Sequence, residues 1–234
     1  MKIQKAIMSV DDNPLYSDFW SLVSMVWKNR FNIDPVLIYF GSDKMDEKYG
    51  EVKYVKPIEN IPIYLQTQWA RMWFTSTEKE TTFITSDIDI FPIRKDFFID
   101  QVKTVDDNKY VHLFGSHRPL PICYHVAKGK MFKKVLQLDE SFEESMNKLL
   151  NSESFRISHM GFDKWGLDES YSTAKILNHA TKEDILLLPN NIKLRLDRVN
   201  WPSAYKVDNY IDSHSLRPVK DYSREINDLM KGLI

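Results

Sequence analysis

The spacing of apolar positions changes repeatedly along the first hundred residues. Residues 6–10 form a short apolar run that gives way to Asp11-Asp12-Asn13-Pro14, and a proline directly after Asp or Asn is a helix start signal. Leu15, Phe19, Leu22, Val23, Val26 and Trp27 then recur at helical spacing, which predicts a helix laying its apolar face on a sheet. After the Asp34-Pro35 break, residues 36–40 are continuously apolar, as in a strand buried on both faces. Gly41-Ser42-Asp43 ends it, and residues 52–55 offer another short strand. Pro57 and Pro62 punctuate the chain before a predicted helix over residues 63–76. Leu65, Trp69, Met72 and Trp73 form its inner stripe, with Arg71 elsewhere on the helix.

Residues 81–92 read as one β-type run that ends in Asp87-Ile88-Asp89 and is stopped by Phe91-Pro92. Beyond it the pattern predicts a turn of helix near 94–99, strands over 110–114 and 122–127, and helices over 130–138 and 142–150. An irregular polar stretch follows over 151–163. A further helix carries Asp168 and Glu169 in its first turn, where the helix dipole and free amides favour carboxylates. Alternating strands and helices in the first half predict an α/β fold with a central, mostly parallel sheet flanked by helices. The mixed second half adds a small antiparallel portion.

Composition narrows the class without changing that picture. The 234 residues suit a single domain over 1–234, and 43% hydrophobic with 13% aromatic residues supply ample core material. Lys+Arg 32 against Asp+Glu 33 leaves a net charge of -1, so no global basic field draws nucleic acid. The one cysteine, Cys123, fits a reducing compartment and reads as a buried structural thiol. No signal-type apolar segment opens the chain, and no apolar run approaches the ~20 residues of a membrane span. The expectation is a soluble cytoplasmic protein.

The candidate chemistry centres on Asp87 and Asp89. In an extended chain residues i and i+2 project to the same side, so the two carboxylates can share a divalent cation. Mg²⁺ or Mn²⁺ is usually held by one or two carboxylates together with substrate phosphates. A Gly-x-Gly-x-x-Gly or Gly-Lys-Ser/Thr loop is missing from the N-terminal region, whose first glycine is Gly41, so phosphates would have to be held through the metal. Asp11-Asp12, Gly41-Ser42-Asp43 and Asp87-Asp89 all sit at predicted strand ends, where ligands collect in open α/β sheets, and together they are expected to outline one crevice.

Three motifs in this order, a strand ending in Asp87-Ile88-Asp89, then Trp165-Gly166-Leu167-Asp168-Glu169, then His214 in a C-terminal loop, resemble the nucleotide-sugar glycosyltransferases of GT-A fold. In overall style the chain resembles the compact transferases of chloroviruses, large DNA viruses of algae, for which the host cytoplasm would be the site of action. The resemblance implies a Rossmann-like GT-A domain with a nucleotide-binding half over about 1–100 and an acceptor-binding half over about 101–234. It implies transfer of a sugar from a UDP-sugar to a carbohydrate hydroxyl, with Asp87, Asp89 and His214 holding Mn²⁺ or Mg²⁺; an imidazole ligand favours manganese. Asp11, Arg71, Ser86, Asp87 and Arg217 would meet the donor, and Trp165 and Gly166 the acceptor. An acidic pair at that helix start is where inverting members keep their base. The usual order there is Glu-Asp, so Asp168-Glu169 leaves the base open between the two. If Asp168 caps its own helix, Glu169 is the freer one.

Rival readings remain. A haloacid-dehalogenase-type phosphatase also uses Asp-x-Asp, but on the first strand and with Thr or Val where this chain has Phe91. A nucleotidyltransferase would want the glycine-rich phosphate loop that is missing. A carbohydrate- or nucleotide-binding module without transferase activity would keep the fold alone. His112, His117, His125, His159 and His179 show no metal-ligand spacing.

Overall fold

Val36, Ile38 and Phe40 pack into one apolar layer and Leu37 and Tyr39 into another, so β2 (Asp34–Phe40) needs cover on both faces. The structure, a computed structural model that describes residues 1–155, 166–190 and 192–234, meets that need with a layered α/β architecture. The strands are β1 (Lys5–Asp11), β2, β3 (Glu51–Tyr54), β4 (Thr82–Thr85), β5 (Ile90–Pro92), β6 (Tyr110–His112), β7 (His125–Lys128), β8 (Ile185–Leu187), β9 (Arg195–Asp197) and β10 (Asp212–His214). The helices are α1 (Pro14–Ser17), α2 (Trp20–Met25), α3 (Ile63–Thr75), α4 (Gln101–Lys103), α5 (Gly129–Leu136), α6 (Phe142–Leu150), α7 (Leu167–His179) and α8 (Ser223–Leu233).

Seven strands form the main sheet in the order β3-β2-β1-β4-β7-β6-β8. β1 runs parallel to β2 and β4, and β2 to β3. β7 is antiparallel to both β4 and β6, and β8 is parallel to β6, which is the antiparallel portion expected in the second half. One face is covered by α2 and α8, through Trp20, Val23, Ile226 and Leu229, joined by Trp27 and Phe98 with ring centroids 5.6 Å apart. α3, α5, α6 and α7 cover the other, through Trp69, Phe132, Met146 and Tyr171.

Three sequence expectations are corrected. The helix predicted from Pro14 through Trp27 is divided into α1 and α2, the latter continuing as a wider π-type turn over Val26–Arg30. The run 81–92 is not one strand. Ser86 N–H still donates to the Ile7 carbonyl at 3.0 Å, but the chain then turns, with Ile90 N–H 3.4 Å from the Asp87 carbonyl. It leaves the main sheet after Thr85 and joins a second sheet, ordered β5-β10-β9, at Ile90. Asp87 and Asp89 therefore lie on the crossing between two sheets. His214, expected in a loop, closes strand β10, antiparallel to β5. Three-residue strands are too short for an alternation of apolar and polar positions to announce them.

Candidate active site

The C-terminal ends of β1 and β4 open into a cleft of about 410 Å³, walled by α3, the first turn of α7 and the segments that follow β9 and β10. Asp87, Ile88 and Asp89 form its floor. Gly41 and Ser42 do not join it. With Asp12 and Tyr54 they border a separate cavity of about 390 Å³, where the Tyr39 hydroxyl is bonded to Asp12. The three acidic strand ends thus outline two hollows instead of one.

Asp89 is 4% exposed and gathers basic side chains. Arg198 Nη1 lies 2.6 Å from its Oδ2, His214 Nε2 3.5 Å and Arg217 Nη1 3.6 Å. Burial favours the neutral acid, but hydrogen bonding and charge from His214 and Arg198 outweigh it and hold the Asp89 carboxyl well below the usual range. The other ring nitrogen of His214, Nδ1, faces Asp197 Oδ2 at 3.6 Å. Arg217 lies over the Tyr16 ring, 4.6 Å from its centroid.

Arg71 looks like an ordinary surface arginine in the sequence, yet it is 7% exposed. Its Nη1 donates to the Ser86 carbonyl at 3.1 Å and pairs with Asp87. Its Nη2 stands 3.7 Å from Asp168 Oδ2. One guanidinium thus ties the cleft floor to the acidic helix start.

Asp168 is 2% exposed, and its Oδ1 accepts the Glu169 backbone N–H at 2.9 Å. It does spend an oxygen on its own helix end. Glu169 Oε1 accepts the Ile122 N–H at 3.2 Å and lines the cleft. Burial pushes the Asp168 carboxyl up to about 6, a rise that Asp87 adds to and the Arg71 charge partly offsets. Burial and then the Asp168 charge push Glu169 up to about 7, against the pull of the Ile122 N–H.

The cleft thus brings together Asp11, Arg71, Asp87, Asp89, Asp168, Glu169, His214 and Arg217 from across the chain. Ser86 is not among its walls. It is fully buried, its hydroxyl donating to the Asp87 carbonyl at 3.1 Å. Gly166 precedes α7, where an added Cβ would meet only Glu169 Oε2, at 3.9 Å. Trp165 lies outside the described residues. Asp11 accepts the Asn13 N–H at 3.2 Å. Arg198 and Asp197 escaped the sequence reading. The alternation Leu194-Arg195-Leu196-Asp197 is a period-two signal that could have found β9 and, through it, both residues.

Two carboxylates and an imidazole are a donor set suited to Mn²⁺. His214 Nε2 and Asp89 Oδ2, 3.5 Å apart, are close to the roughly 3 Å that separates neighbouring ligands on an ion with bonds of about 2.1 Å. Asp197 behind the imidazole matches the outer carboxylate that commonly orients a metal-bound histidine. Among the described residues, however, His, Cys, Asp and Glu do not converge in a ready group of three. Arg71 holds Asp87 and Arg198 holds Asp89. To use this donor set a divalent cation would have to displace both Arg71 from Asp87 and Arg198 from Asp89.

No protein-family model and no curated protein matches the sequence. Solved structures resemble its fold. The galactosyltransferase LgtC in complex with donor and acceptor sugar analogues is similar over 97% of this chain and 95% of its own, with 11% identity and a TM-score of 0.50. An active-site mutant of LgtC gives 12% identity and a TM-score of 0.53 over 99% of this chain and 100% of its own. A glycosyltransferase involved in glycosylation of the major capsid of PBCV-1 gives 12% identity and a TM-score of 0.53 over 96% and 99%. The chain therefore has the glycosyltransferase fold of GT-A type, a mixed α/β structure built on a mainly parallel sheet.

Proposed function

We propose that this protein is a metal-dependent glycosyltransferase that moves a sugar from a nucleoside diphosphate sugar, UDP in the first instance, to a hydroxyl of a carbohydrate acceptor. The observation that carries the reading is the pairing, within one cleft at the strand ends of this fold, of the Asp87, Asp89 and His214 donor set with an acid pair, buried Asp168 and half-buried Glu169. Asp87, Asp89 and His214 would hold Mn²⁺ or Mg²⁺, which when bound stabilises charge on the leaving diphosphate as a Lewis acid. Arg198 and Arg217 line the same cleft and suit phosphate oxygens. Asp11, the last residue of β1, and Tyr16 on α1 suit the ribose and base.

Glu169 acts as the general base. A carboxyl raised to about 7 matches the proton affinity that a base needs near neutral pH. It takes the acceptor hydroxyl proton as that oxygen bonds to the anomeric carbon, while the bond to the diphosphate breaks and its electron pair leaves with the diphosphate. Attack from the side opposite the diphosphate inverts the anomeric centre, and the product's anomeric configuration by NMR tests this. Retention would make Glu169 something other than the base. The single reduced thiol suits a cytoplasmic enzyme, and no helix among the described residues is long and apolar enough to cross a membrane. Calorimetry with UDP-sugars, with and without Mn²⁺, tests the whole reading. Metal-dependent nucleotide binding that Asp89→Ala abolishes supports it, and no nucleotide binding in either condition refutes it.

A further inference from the structure

His112 on β6 and His125 on β7 are fully buried, their rings 4.3 Å apart and nearly perpendicular. Both direct Nε2 at one acceptor, the Pro121 carbonyl, at 2.8 and 2.9 Å. A carbonyl only accepts, so both Nε2 atoms carry the proton. Their Nδ1 atoms are then acceptors. Phe114 N–H donates to that of His112 at 2.9 Å, and the Tyr110 hydroxyl to that of His125 at 3.0 Å. Burial keeps both rings neutral, lowering His112 to about 4 and His125 well below its ordinary value.

The Pro121 carbonyl and the Ile122 N–H belong to one planar peptide unit. Two donors on the oxygen draw charge onto it and strengthen the N–H as a donor. That N–H is the one that meets Glu169 Oε1. The neighbouring backbone groups are held as well. Leu120 N–H donates to Thr173 Oγ1 at 2.7 Å, and the Ile122 carbonyl accepts from Thr85 Oγ1 at 2.7 Å. Thr85 Oγ1 in turn accepts the His125 N–H at 3.0 Å.

We infer that His112 and His125 are positioning residues for Glu169: together they grip the Pro121 carbonyl so that the Ile122 N–H anchors the Glu169 carboxylate at the cleft wall. The inference rests on the reading of Glu169 as the base, and nothing in the Asp-x-Asp chemistry requires the two histidines. Glu169 is otherwise faced by Asp168 on its own helix, by Asp87 beyond β4 and by Arg71 from α3. The histidines are faced by Arg118 and His117 on the following loop, by Tyr110 and by Arg71.

The test uses the isotope-labelled full chain without ligand, and it reads the Ile122 amide proton and the imidazole nitrogens by NMR. The amide should lie downfield and move upfield in Glu169→Gln. His112→Leu and His125→Leu should move it the same way, whereas His125→Gln, which keeps an N–H near the Nε2 position, restores it. Tyr110→Phe, nearly isosteric, should release the His125 tautomer and shift the amide in the same sense. In sugar transfer the two leucine variants should lose about ten- to a hundredfold in kcat with the donor KM unchanged. An Ile122 amide unmoved in folded His112→Leu and Tyr110→Phe overturns the inference, whatever the activity. A wild-type protein without transfer overturns the Glu169 reading instead, and the amide still reports on the grip.

Discussion

Replacing Glu169 by glutamine should stabilise the fold at alkaline pH and leave it nearly unchanged in acid. The folded protein raises this carboxyl from 4.5 to about 7, so it binds the proton more tightly than the unfolded chain does. Stability therefore falls as pH rises through that window and carries the full penalty above it. At 1.36 kcal/mol per pH unit the gap corresponds to roughly 3 kcal/mol. Solvent at the cleft mouth screens part of it, which leaves an expected gain of about 1–3 kcal/mol for the glutamine. In a chain of this length each kcal/mol raises Tm by about 2–4 °C. Glutamine keeps an oxygen for the Ile122 N–H, and Asp168 is present in both proteins, so the difference isolates the Glu169 charge. Urea denaturation of the two proteins at about pH 4 and pH 8 provides the assay. Equal gains at both pH values, or a loss at pH 8, would show that the Glu169 charge is not strained by its surroundings. The same substitution should reduce sugar transfer by about 10²–10⁴-fold, the pattern of a group whose cost to the fold serves the reaction.

Two further substitutions probe the cationic side of the molecule. Asp212, fully buried, accepts bonds from Arg195 at 2.8 and 2.7 Å and from the Tyr124 hydroxyl at 2.9 Å. Asp212→Asn leaves the guanidinium charge uncompensated and should destabilise by about 3–5 kcal/mol; a loss below about 1 kcal/mol on urea denaturation contradicts that. Arg198→Met frees Asp89 Oδ2 from its 2.6 Å partner, so Mn²⁺ alone should bind about tenfold more tightly, by about 1.4 kcal/mol. Calorimetry that shows weaker cation binding removes the competition between Arg198 and the metal.

Residues close in sequence announced their own elements. The unbroken apolar run of β2 required cover on both faces, and the stripe of Leu65, Trp69 and Met72 announced α3. Asp-x-Asp after an apolar run and an acidic pair at a helix start were likewise visible, because each is a local pattern with a local cause: side-chain period in the elements, and charge against the helix dipole at the start of α7. Arg71 could not be read that way. Whether a helical arginine is solvated or buried depends on what comes to meet it, and Asp87 and Asp168 arrive from 16 and 97 residues further along the chain. The division of residues 81–92 between two sheets was equally out of reach, since β5 exists only because β10, more than a hundred residues later, offers it hydrogen bonds. Arg198 on Asp89 and the two histidines on the Pro121 carbonyl are of the same kind. Period and composition are properties of neighbouring residues and determine which segments become strands and helices; the ionisation of a buried carboxyl and the direction of a guanidinium depend on charges and dipoles that only the folded chain brings within a few ångströms.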